Sequence, residues 1–97
     1  MYMRVTRGRI TDPSKLGTDT ANQVLRDLVA AVRRQPGFQS FTGGADRANG
    51  RTITISTWDT EDHARFSPEA LGDLPARIEA IGIQVEPFEV FEVTTPN

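Results

Sequence analysis

Cysteine is absent from the 97-residue chain. That excludes disulfides, thiolate nucleophiles and Cys-ligated metal centres together. Histidine occurs once, as His63, so one chain cannot assemble a multi-His metal site; a carboxylate-rich site stays formally open. Neither a metal nor a cofactor is expected. Lysine is confined to Lys15, the other ten of eleven basic residues being Arg, a bias that reads as GC-rich coding rather than a phosphate site. Neither sign of charge dominates. Eleven bases against 13 acids leave a formal charge of −2, and the two are intermixed, so nucleic acid is not an expected partner and there is no acidic tail. Long apolar runs are missing too. The longest, around Val29 to Val32, falls far short of the ~20 residues that cross a bilayer. The N-terminus has neither the charged lead nor the apolar core of a secretory signal. A soluble, cytoplasmic protein without a membrane partner is the expectation.

What is present fits one domain over residues 1–97, since a chain this short buries only roughly 65% of its unfolded surface and cannot build two cores. Tyr2 to Thr11 reads as a strand, with Met3 and Val5 on one face and Tyr2 and Ile10 on the other. Thr18 or Asp19 caps a helix to about Arg34, because Ala21, Val24, Leu25, Leu28 and Val32 recur at helical spacing. Pro36-Gly37 stops it. Phe38 to Asp46 is a second strand, where Gly43-Gly44 suggests a bulge. Asn49-Gly50 then signals a hairpin into Thr52–Trp58. Thr60 opens a short helix, Ser67-Pro68-Glu69 restarts helical structure, and Pro75 kinks or splits it before Gly82. Ile83 to Thr95 is the last strand, with Pro87 marking an edge or bulge.

The order βαββαβ predicts an α+β, ferredoxin-like fold: a four-stranded antiparallel sheet with both helices on one face. The last strand has large apolar groups on both faces, Phe88 and Val90 against Phe91 and Val93. Something must therefore cover the second face, and a twin subunit is the economical choice, giving a homodimer.

The segment Arg51 to Arg65 concentrates the chemistry. Hydroxyls at Thr52, Thr54 and Ser56 share a strand face with Trp58, while Ile53 and Ile55 point away. Two readings of Trp58 follow. It is a core or interface aromatic that buries its ring, or it is the flat wall of an aromatic-ligand pocket in which Thr54 and Ser56 orient the ligand and Phe66 adds to the lining. His63 reads as a solvated helix residue or as a general base near neutral pH. Arg4 reads as an exposed strand residue or as the positive charge that holds a substrate anion.

The first strand and its long helix, the stop Pro36-Gly37-Phe38, the corner Ile55-Ser56-Thr57-Trp58-Asp59-Thr60-Glu61-Asp62 and the ending Phe88-Glu89-Val90-Phe91-Glu92-Val93 resemble the antibiotic-biosynthesis-monooxygenase-like family of dimeric α/β-barrel proteins. The resemblance spans nearly the whole chain. It implies two sheets facing each other in a barrel-like homodimer and, in each subunit, a pocket between sheet and helices. It also implies an oxidoreductase, a cofactor-independent monooxygenase acting on an electron-rich aromatic molecule; the residues read above would then serve as catalytic (His63 and Arg4) and substrate-binding (Trp58, Thr54, Ser56 and Phe66). The alternative is a non-catalytic ligand-binding or structural barrel. Haem-degrading relatives combine the strand Trp with an Asn on the first strand, and Met1 to Thr11 contains no Asn.

Overall fold

A computed structural model describes residues 1–96. The strands are β1 (Tyr2–Ile10), β2 (Phe38–Asp46), β3 (Arg51–Trp58), β4 (Ile83–Val85) and β5 (Glu89–Glu92), and the helices α1 (Asp19–Arg33), α2 (Glu61–Ala64) and α3 (Leu74–Ala80). The antiparallel sheet runs β2-β3-β1-β4, with β5 also pairing β1. This is the expected ferredoxin-like α+β arrangement, except that the final strand comes in two pieces. Gly8 pairs Val85, and Val5 pairs Glu89, so three residues around Pro87 stand against two on β1, a one-residue bulge that interrupts the ladder. Proline has no N–H to donate, which is the physical reason the ladder breaks there.

Thr18 caps α1 by accepting from the Ala21 N–H, and Arg33 occupies the last turn, where a cation suits the helix dipole. The expected second helix is split rather than kinked. Pro68–Leu71 forms a 3-10 turn, Gly72 takes φ +65°, and Pro75 sits in the first turn of α3, where a missing N–H costs nothing.

The expected bulge at Gly43-Gly44 is not there: both glycines keep regular register opposite Thr54 and Ile53. The shift lies instead between Phe38 and Ser40. Residues three apart on a regular strand face opposite ways, and the extra residue lets Phe38 and Phe41 both pack towards Trp58. In the hairpin, Gly50 alone takes positive φ, while the Asp46 carboxylate accepts from the Asn49 backbone and side-chain N–H groups.

The helices cover one sheet face and bury two apolar clusters against it. One joins Ala21, Val24, Ile78, Ile81 and Ile83; the other joins Val32, Trp58 and Ala64, with Phe38, Phe41, Phe66 and Val90 around them. Leu28 touches both. The opposite face carries Met3, Val5, Ile53, Ile55 and Phe91, which belong to neither cluster. Phe91 is 40% exposed and Ile53 36%. Among the described residues no helix is long and apolar enough to cross a membrane.

Candidate functional site

β1 and β3 carry the candidate residues in cross-strand register: Tyr2 opposite Trp58, Arg4 opposite Ser56, Thr6 opposite Thr54. Facing residues share a sheet side, and Trp58 fixes it as the helix side. Arg4, Thr6, Thr54 and Ser56 therefore form a polar patch on the face that otherwise supplies the core.

Trp58 is 0% exposed. Phe38 meets it edge-on at 5.7 Å between centroids, and Phe66 tilts against it at 5.1 Å. Its indole N–H donates to Ser56 Oγ at 2.8 Å, two residues back on the same strand. That bond satisfies the one polar atom of the ring inside the core.

Arg4 is 6% exposed, so the exposed-strand reading of this residue is incorrect. The alternation that put Tyr2 on the buried face put Arg4 there as well. Its Nη1 donates to the backbone carbonyls of Ala64 (3.0 Å) and Phe66 (2.5 Å), which ties the end of α2 to the sheet. The rings of Phe66 and Phe88 lie over the guanidinium, each centroid 3.7 Å from Cζ. Such contacts stabilise a cation by about 0.5–2 kcal/mol each. Burial pushes the guanidinium down to about 10, which leaves it charged at neutral pH. In the sequence Phe88 reads only as an apolar residue of the last strand, on the face of Val90. Its spacing from Arg4 gives no signal, because the bulge at Pro87 brings the two together.

His63 stands apart from this group. Thr60 caps α2 by accepting from the His63 N–H, and the chain turns so that Ala64, not His63, is buried. The His63 ring is about half exposed, and Nδ1 donates to the Asp59 carboxylate at 2.6 Å. Both side chains lie over Gly37 (φ +80°), where a Cβ would overlap them. The structure thus brings Arg4, Ser56, Trp58 and Phe66 together, sets Thr54 one step along the same face, and leaves His63 paired with Asp59.

The Asp59 carboxyl is held below its usual 3.8, first by the bond from His63. A carboxyl lowered in the folded state adds stability above its unfolded pKa, and that stability is lost as pH falls through the folded value. The melting-temperature gap between the wild type and Asp59→Asn is therefore expected to be full above about pH 5 and to close at lower pH. Thermal melts across pH 2–7 check this; a gap that persists unchanged at the acid end would contradict it.

Two surface grooves, of about 450 and 440 Å³, flank the Asp27–Arg77 ion pair between α1 and α3. None of the six candidate residues lines either one. Among the described residues no three His, Cys, Asp or Glu side chains converge as a metal set.

No family model matches the chain, and no curated protein sequence does. Solved structures do match. SnoaB, a cofactor-independent oxygenase from Streptomyces nogalater, superposes with a TM-score of 0.71 at 21% identity, over 98% of this chain and 94% of its own. An antibiotic biosynthesis monooxygenase gives 0.62 at 19%, covering 97% and 99%. A dimeric ferredoxin-like protein of unknown function from Thermobifida fusca gives 0.65 at 18%, covering 96% and 92%. At these identities the likeness establishes the fold, which this chain shares from end to end with proteins named as antibiotic biosynthesis monooxygenases.

Proposed function

We propose that this chain is a monooxygenase-like protein that works as a homodimer and holds a hydrophobic aromatic molecule against the helix-facing side of its sheet. The observation that carries the reading is the polar patch itself. Arg4, Thr6, Thr54 and Ser56 occupy positions where a purely structural sheet would bury apolar side chains. A few placed polar groups within an apolar surround are what orients a small ligand. The names of the solved neighbours support the reaction class by analogy of fold.

In the reaction that suits these residues, an electron-rich phenol loses its proton and the anion passes one electron to O₂. Recombination places a hydroperoxide on the ring, and loss of water leaves a quinone. His63, set apart from Arg4 with Nδ1 tied to Asp59, keeps Nε2 to take the phenol proton where the ligand extends to the Gly37 corner. Arg4 supplies a fixed positive charge near the developing anion. Thr54 and Ser56 orient the ring, and Phe66 and Trp58 supply the apolar wall.

The second reading, a non-catalytic dimeric barrel, is favoured by the complete packing of Trp58 and the satisfaction of its N–H within its own strand. Titration with hydroxynaphthalenes and hydroxyanthracenes separates the two. The expected result is saturable quenching of Trp58, the only tryptophan, with oxygen consumption, and binding about tenfold weaker in Thr54→Val, the loss of one hydrogen bond. Quenching without oxygen uptake assigns binding without turnover, and no quenching across the panel removes the ligand site altogether.

A further inference from the structure

The surroundings of Arg4 are more specific than packing requires. An apolar side chain of similar length would fill the space between Phe66 and Phe88 without the cost of burying a charge. Among the described residues no carboxylate pairs with the guanidinium. Of its five N–H donors, the two on Nη1 are engaged by the Ala64 and Phe66 carbonyls. The Nε–H and the Nη2 pair form the remaining edge, the fork that matches a carboxylate bidentately. That edge is not sealed. No enclosed polar side-chain atom among the described residues lacks a partner, so Nε and Nη2, which have none, border accessible space.

The two phenyl rings set the direction of approach. Both centroids lie 3.7 Å from Cζ, and two rings cannot occupy one face at that distance, so they lie above and below the guanidinium plane. Approach along the normal is closed. An anion therefore reaches the free edge in the guanidinium plane, an approach that suits a flat carboxylate better than a tetrahedral oxyanion.

We propose that the Nε–Nη2 edge of Arg4, walled by Phe66 and Phe88, is a subsite for a planar anion, a carboxylate carried by the hydrophobic ligand. This rests on the ligand site proposed above and specifies which molecules it takes: aromatic acids in preference to their neutral or tetrahedral counterparts. Ser56, directly across the strand from Arg4, has an O–H whose oxygen already accepts from Trp58 and whose hydrogen is left to donate to the same anion.

Isothermal titration calorimetry with 2-naphthoate, 2-naphthamide and naphthalene-2-sulfonate tests this. The naphthoate is expected to bind about 10- to 100-fold more tightly than the amide, the range of a charge-assisted bond, and the sulfonate no more tightly than the amide. Arg4→Lys keeps the charge but loses the planar fork, and is expected to lose about tenfold for the naphthoate with the amide unchanged. Arg4→Met should abolish the preference; if that variant does not fold, Arg4→Lys decides. Equal binding of naphthoate and amide overturns the subsite but leaves the aromatic pocket standing. No binding of any of the three overturns both. A sulfonate that matches the naphthoate overturns the in-plane approach, and a preference that survives in Arg4→Lys removes Arg4 as its source.

Discussion

Trp58→Ala is expected to lower stability by about 3–5 kcal/mol, the range for truncating a buried aromatic. Few domains of this size exceed about 5–15 kcal/mol in total. The ring has no exposed surface, and Phe38, Phe66, Val32 and Ala64 surround it. Its removal leaves a cavity that these groups, anchored on four different parts of the chain, cannot close together. It also strips Ser56 Oγ of its donor. Urea unfolding followed by far-ultraviolet circular dichroism measures the effect without needing the lost fluorophore. A cost below about 1 kcal/mol would mean that the ring borders an open space rather than a packed core, and would transfer weight to its reading as a ligand wall.

Charge placed on the other sheet face is expected to act on assembly instead. In the proposed homodimer, Met3, Val5, Ile53, Ile55 and Phe91 meet their counterparts, and the Arg7–Glu89 ion pair lies on the same face. Ile53→Asp carries a second carboxylate into that surface opposite Arg7, whose guanidinium already pairs with Glu89, and is expected to weaken association about 100-fold or more. Sedimentation velocity at micromolar concentration should show a wild-type dimer and a monomeric variant. Ile53 points away from the helices, so naphthoate binding at Arg4 should survive in the variant provided one subunit holds the whole site. A wild type that sediments as a monomer, or an Ile53→Asp variant that remains dimeric, would remove the face-to-face dimer.

Much of the fold was legible because local signals and tertiary packing agree. The α1 stripe and its Thr18 cap, the Asn49-Gly50 turn and the two-sided alternation of β1 and β3 are each set by a few neighbouring residues. Where the reading failed, partners distant in sequence decided the outcome. The β2 bulge falls at Phe38–Ser40 rather than at the flexible glycines, because bringing both Phe38 and Phe41 to Trp58 requires one extra residue there. Gly43 and Gly44 permit a bulge, but nothing in the packing calls for one. Pro87 was recognised as a disruption, yet its consequence, Phe88 stacked on a residue 84 positions earlier, has no local signature.

Arg4 marks the division between the two kinds of information. By itself, the sequence determined the strand and its parity, and therefore which β1 residues share a side with one another, while the register against β3 put Tyr2 and Arg4 on the side of Trp58. It also determined that neither thiol chemistry nor a multi-His metal site can arise within one chain. Only the tertiary structure decided that a cation on the buried side is tolerated, through two carbonyls at the end of α2 and two rings from separate loops. Those partners stand 60 or more residues away. The energy of a buried charge depends on atoms packed around it in space, which no local pattern of residues encodes.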